Sequence, residues 1–239
     1  MKKTNTLFLF LLAVSSCFAQ MSYQPYTPAQ LGAWFDQQQV DVPGKTGFWP
    51  SEPTVSVTRL RHHTPPKAWA AFLRSVKLAH DGAWQKCAVE LEKAVTIDPS
   101  FAEAHNNLGV CDVELKRFES AAGELRRAVE LDPADSVFHG NLSLALILVH
   151  RQPEAEHEAR TAVTLDATNN KAQYLLGFLL AQHPETRETA AEHLTYAARD
   201  LPDAHYLLAQ IYQADGQTSR AGAELERYRK AFTGQAKTK

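Results

Sequence analysis

The chain has 239 residues, 44% of them hydrophobic and 22% charged, with 25 lysines and arginines against 27 aspartates and glutamates. So even a balance leaves no electrostatic footprint for nucleic acid or for an anionic membrane surface. The composition is that of a folded protein of one or two domains, not of a disordered or fibrous chain.

Residues 1–19 carry Lys2 and Lys3, then the apolar run Leu7 to Val14, then small residues, which is the layout of a secretory signal peptide. A run of eight apolar residues is too short to span a bilayer. Cys17-Phe18-Ala19 before Gln20 suits ordinary signal peptidase, whereas Val14-Ser15-Ser16-Cys17 resembles a bacterial lipobox that would leave Cys17 lipidated. Either exit predicts an exported protein, periplasmic or secreted. Anchoring in the outer membrane, and any membrane contact, is expected only if Cys17 carries lipid.

Residues 20–66 hold seven of the twelve prolines, a density that prevents a long helix. One short helix is expected after Thr27-Pro28, with Leu31, Trp34 and Phe35 on one face. Val55 and Val57, with polar residues alternating around them, predict a brief extended segment. Tyr23, Tyr26, Phe48 and Trp49 add aromatic weight that a purely disordered linker lacks. Two readings stay open: a loosely ordered arm, or an arm that docks on the rest of the chain or on a partner.

From Ala68 onward the chain repeats. Small residues recur at Ser75, Gly109, Ser143, Gly177 and Ala209, spaced 34, 34, 34 and 32 apart, and again at Cys87, Ala121, Ala155, Ala190 and Ala221. Asp98-Pro99 and Asp132-Pro133 fall at the same interval. A fixed period of this size marks a repeat array. Two antiparallel helices approach closely only where one side chain at the crossing is small, and Leu108 and Leu125 are placed to fill the space beside it.

Asn107-Leu108-Gly109, Phe118, Ala121, Leu125, Ala128 and Pro133 resemble the pattern of the tetratricopeptide repeat (TPR) family. The resemblance implies an all-α fold: a right-handed superhelix of five helix-turn-helix repeats behind a proline-rich N-terminal arm. The array is expected over residues 67–233, with repeats at about 68–101, 102–135, 136–169, 170–201 and 202–233, and a polar tail at 234–239. In the first helix of repeats two and three, the third, seventh, tenth and fourteenth positions are apolar: Ala104, Leu108, Cys111 and Leu115, then Phe138, Leu142, Ala145 and Val149. In repeat one they are Ala70, Arg74, Lys77 and Asp81, so repeat one is expected to be a polar starting cap. Repeat four carries one extra residue near His183-Pro184 and a short exit at Leu201-Pro202, which predicts an irregular joint with repeat five.

Chemistry is sparse. No glycine-rich phosphate loop, His-Glu-x-x-His or Gly-x-Ser-x-Gly motif is present, so an enzyme is not expected, and neither is a cofactor. His105, His139 and His205 share the fourth position of their repeats, but equivalent helices about 10 Å apart cannot bring them to one ion. Glu154 and His157 have the spacing of a di-iron helix without a second such pair, so no metal is expected either. Packing at the hairpin crossing, or solvent, is the expected place for these histidines. Cys87 and Cys111 are either small buried packers or, in an oxidising compartment, a disulfide between neighbouring repeats.

The TPR resemblance further implies a concave wall built from the first helices. There Asn107 and Asn141 resemble the first two rungs of an asparagine ladder, able to donate to and accept from a peptide backbone. Val110, Leu144, Tyr174, Phe178 and Tyr206 are the expected apolar contacts. A carboxylate clamp is not expected, because Phe72, Val76, Val137 and Asn141 stand where its basic residues would be. The expected function is a non-enzymatic protein-interaction scaffold that holds a peptide segment of a partner in this groove. The alternative is a self-occluded spacer or oligomerisation module whose own arm fills it.

Overall fold

A computed structural model describes residues 62–235; the leader with Cys17, the arm as far as residue 61 and the tail residues 236–239 lie outside the described residues. The described residues form ten α-helices and no strand. They pair in chain order as α1 (Pro66–His80) with α2 (Trp84–Ile97), α3 (Ala102–Glu114) with α4 (Phe118–Leu131), and α5 (Ser136–Leu148) with α6 (Gln152–Leu165). Then come α7 (Asn170–Leu180) with α8 (Arg187–Ala197), and α9 (Asp203–Ala214) with α10 (Thr218–Gln235). Each pair packs as an antiparallel hairpin and each second helix packs on the next first helix, so five hairpins stack into an array. The first helices also touch directly at α3–α5 and α5–α7.

Local sequence starts and stops these helices. Pro65 and Pro66 open α1, two residues earlier than the repeat count suggests, because proline suits a first turn whose amide has no helical acceptor. Asp135 caps α5 by accepting from the backbone amides of Val137 and Phe138 at 2.8 and 3.2 Å. Asn169 caps α7 through the amide of Ala172 at 3.1 Å. At the exits, Asp98 and Asp166 accept from the amides of Ser100 and Thr168 at 3.2 and 2.8 Å. The exit of repeat three therefore turns on Asp166 even though Ala167 replaces proline there.

The hairpin turns of repeats one, two, three and five each place one residue in the left-handed region: Gly82, Lys116, His150 and Gly216, with φ of 69°, 60°, 62° and 73°. The equivalent in repeat four is Pro184, whose ring holds φ near −65° and forbids that turn. Repeat four instead uses its extra residue to close a short 3-10 turn, Pro184–Thr186. Arg187 beside this turn reaches Asp215 of the last hairpin at 3.1 Å, so the irregular turn also contacts the joint with repeat five.

The hairpins close on the small residues. A Cβ at Gly109 would stand 2.5 Å from Leu125 Cγ and 3.1 Å from the Ala121 carbonyl oxygen. At Gly177 the same distances are 2.6 Å to Leu194 Cγ and 3.1 Å to the Ala190 oxygen. Ser143, at the equivalent place, turns its hydroxyl onto the Ala155 carbonyl at 2.8 Å. Leu125 and Leu194 are fully buried, and an apolar core runs from Val110 in α3 to Ile211 in α9. A second core joins α1, α2 and α3 around Leu91, Phe101 and Leu108. Within it Cys87 of α2 and Cys111 of α3 form a disulfide with a Cα separation of 6.5 Å, which ties repeat one to repeat two.

Gly109→Ala therefore forces Leu125 off its site and is expected to lower the unfolding free energy by about 1–3 kcal/mol in chemical denaturation. Replacing both Cys87 and Cys111 by alanine removes a closed loop with a sequence separation of 24. The expected loss is about 3 kcal/mol, read as a lower denaturation midpoint matched by the parent under reductant.

Candidate functional site

The inner wall is formed by the first helices, and its residues differ from expectation in how far they are open. Asn107, Asn141, Val110, Leu144 and Phe178 were expected on an accessible groove surface; all five are buried, none more than 5% exposed. Val110, Leu144 and Phe178 belong to the continuous core that also holds Leu175 and Leu207. Tyr174 and Tyr206 are half-buried, and Tyr206 packs on Tyr228 at 5.5 Å between ring centres.

The two asparagines are connected, but inward. Asn141 Nδ2 donates to Asn106 Oδ1 at 2.9 Å, and Asn106 Nδ2 donates to Asn107 Oδ1 at 3.0 Å. Asn106, fully buried, is the link between repeats that the sequence did not single out. Carboxamides bonded to one another in the core are not presented to a peptide backbone. The asparagine ladder is therefore a structural joint in this chain, and the groove contacts reduce to what stays accessible.

That surface is concentrated at repeat one. Leu73 is 52% exposed, whereas Leu175 and Leu207 at the same position of repeats four and five are each 7% exposed. Beside it Trp69 remains partly exposed and stacks on Phe72 and Phe101, with ring centres 5.4 and 5.8 Å away. At the far end of the wall stand Tyr174 and Tyr206, with Lys171, whose ammonium burial pushes down to about 7.

The histidines at the fourth position have a shared structural role. His139 Nδ1 donates to Glu158 at 2.5 Å and its Nε2 donates to the Pro133 carbonyl at 3.0 Å. His105 repeats this with Glu124 at 2.7 Å and the Pro99 carbonyl at 3.1 Å, and His205 pairs with Glu224 at 2.6 Å. Each histidine of the first two pairs thus bolts its own second helix to the exit turn of the preceding repeat. Repeat four performs the same task with the partners exchanged: Gln173 Nε2 donates to the Ala167 carbonyl at 2.8 Å and its Oε1 accepts from His193 Nδ1 at 2.6 Å. No cluster of metal-ligating side chains occurs among the described residues.

A carboxylate and a carbonyl can only accept, so the ring of His139 satisfies both as an imidazolium. Burial pulls its pKa down, but the hydrogen bonds to Glu158 and Pro133 and the negative charges of Glu158 and Asp135 outweigh that and leave it raised. His193, with an amide oxygen in place of a carboxylate, is pushed down by burial.

In sequence, the tetratricopeptide repeat family matches residues 102–135, the second hairpin. No curated protein matches the chain significantly. Among solved structures, the fold is similar to that of MamA from Desulfovibrio magneticus RS-1, at 15% identity and a TM-score of 0.62 over 72% of this chain and 99% of that one. PilF of Pseudomonas aeruginosa is similar at 22% identity and a TM-score of 0.61, over 69% and 76% of the two chains. YrrB, a TPR protein with an unusual peptide-binding site, is similar at 18% identity and a TM-score of 0.55, over 67% and 84%.

Because the folded pKa of His139 is raised, its contribution to stability is full below the unfolded value of about 6.5 and is lost as pH rises through the folded one. Urea unfolding of the parent and of His139→Gln between pH 5.5 and 9 is expected to show the parent's advantage largest at the acid end and shrinking with rising pH. An advantage that grows with pH would contradict the imidazolium assignment.

Proposed function

We propose that this array of helical hairpins, whose second repeat matches the tetratricopeptide repeat family, is a non-enzymatic protein-interaction scaffold whose inner wall receives a segment of a partner protein. The observation that carries this reading is the exposure of Leu73 beside Trp69, at a position that later repeats bury. A rigid array with accessible aromatic and aliphatic side chains is suited to anchoring an apolar segment, since a few such anchors dominate binding energy. The similarity to YrrB, described as having a peptide-binding site, supports the same use of the fold. The buried asparagines stiffen the wall, and the contacts assigned to the partner are Trp69, Leu73, Tyr174 and Tyr206.

The leader supports an envelope setting: Lys2-Lys3, the apolar run and the small residues before Gln20 suit export to the periplasm or beyond, with Cys17 as the lipidation point if the lipobox is used. Mass measurement of the mature N-terminus is expected to find Gln20 or a lipid-modified Cys17, and an unprocessed Met1 would refute export.

A Leu73→Ala, Tyr206→Ala double variant truncates one anchor at each end of the wall without touching the buried asparagine chain. With an unchanged melting temperature, it is expected to retain at most about one tenth of the parent's partner protein in affinity purification from the envelope fraction. Equal recovery by variant and parent would rule the inner wall out as the binding surface.

A further inference from the structure

The last joint of the array lacks the bolt that the earlier joints share. His105, His139 and Gln173 each bond an exit carbonyl of the preceding repeat, that of Pro99, Pro133 or Ala167, six residues back along the chain. Repeat four is shorter at its exit. Leu201 stands where Asp98, Asp132 and Asp166 stand in the earlier repeats, so the equivalent carbonyl is that of Pro202, three residues before His205. This carbonyl caps α9 and accepts from the backbone amide of His205 at 3.0 Å. Directed along the helix, it cannot meet the ring. His205 keeps its glutamate, Glu224 at 2.6 Å, but its Nε2 makes no hydrogen bond among the described residues.

Hairpin five is joined to hairpin four by apolar packing, with Leu194 and Ala197 of α8 in one core with Ala204, Leu208 and Ile211 of α9. Two further attachments sit at the two ends of α9. At its start the backbone arrives through Leu201 and Pro202, and at its end Asp215 accepts from Arg187 at 3.1 Å. The twelve residues of α9 place these attachments about 18 Å apart on one line. Two points on a line leave rotation about that line free. In repeats two and three the histidine supplies the third point, because its glutamate lies off the line on the second helix and its other nitrogen holds the preceding exit.

We propose that hairpin five rolls as one unit about the long axis of α9, opening and closing the far end of the inner wall. His205 with Glu224, and Tyr206 with Tyr228, keep α9 and α10 together as they turn. The axis of α10 lies about 10 Å from that of α9, so a roll of about 20° carries α10 through about 3 Å. Tyr206 turns with α9 while Tyr174 stays with α7. The roll is a property of the free array, so it stands or falls separately from what the wall receives.

The test is double electron-electron resonance on the full-length chain, with nitroxides attached to p-acetylphenylalanine so that Cys17 and the Cys87–Cys111 disulfide stay untouched. Labels in place of Gly123 and Glu192 span the joints on either side of repeat three, and labels in place of His157 and Ala223 span those on either side of repeat four. All four positions are exposed. The distance distribution of the 157–223 pair is expected to be about two-fold broader than that of the 123–192 pair. Replacing Leu201-Pro202 by a copy of residues 132–136 returns the exit carbonyl to six residues before the histidine, and is expected to narrow the 157–223 distribution to the width of the other. His139→Ala removes the same bolt from a regular joint and is expected to broaden the 123–192 distribution, which decides the matter if the grafted chain does not fold. Equal widths in the parent would overturn the proposal. So would a 123–192 width unchanged by His139→Ala.

Discussion

The structure depends on how closely the two helices of each hairpin cross. At Gly109 and Gly177 the partner leucines, Leu125 and Leu194, stand where a Cβ would be, within 2.6 Å or less of that position. Dispersion falls off steeply with distance, so this approach lets a fully buried leucine contact both helices of its hairpin. A side chain at the crossing would separate the helices and loosen each stacking contact that follows. Where serine replaces glycine, at Ser143, the second helix carries Ala159 in place of the leucine, and the serine hydroxyl turns onto the facing carbonyl of Ala155.

Stacking of the hairpins needs a second device, because apolar contact alone leaves their relative rotation loosely defined. Four polar links supply direction. The imidazoles of His105 and His139 bridge a glutamate in their own repeat to a backbone carbonyl at the preceding exit. The chain from Asn141 through Asn106 to Asn107 joins repeats two and three on the opposite side of the first helices. Gln173 and His193 exchange roles in repeat four and keep the same carbonyl contact, which shows that the geometry is preserved while the residue type is not. Buried polar groups satisfied in this way favour one arrangement over its near neighbours.

These joints shape the inner wall. By turning carboxamides into the stack, the array gives up backbone-directed contacts to a ligand and keeps its accessible apolar surface at repeat one and at Tyr174 and Tyr206. Under the function proposed above, selectivity for a partner rests on where apolar anchors fall along an extended wall, not on a terminal carboxylate or a general backbone grip. The disulfide between Cys87 and Cys111 ties α2 to α3, next to the helix that carries Trp69 and Leu73.

The sequence by itself determined the number of hairpins, their small-residue crossings, the polar starting face of repeat one and the irregular turn at Pro184. Each of these follows from a period of about 34 residues or from a backbone restriction that acts locally. Only the tertiary structure decided which positions of the first helices stay open. Asn107 lies about 60° round its helix from the apolar stripe through Ala104, a boundary that belongs to the core or to the wall according to how closely the neighbouring first helix approaches. The pairing of Cys87 with Cys111, and of each histidine with a glutamate 19 residues later, likewise required the distance between helices, which no spacing along the chain records.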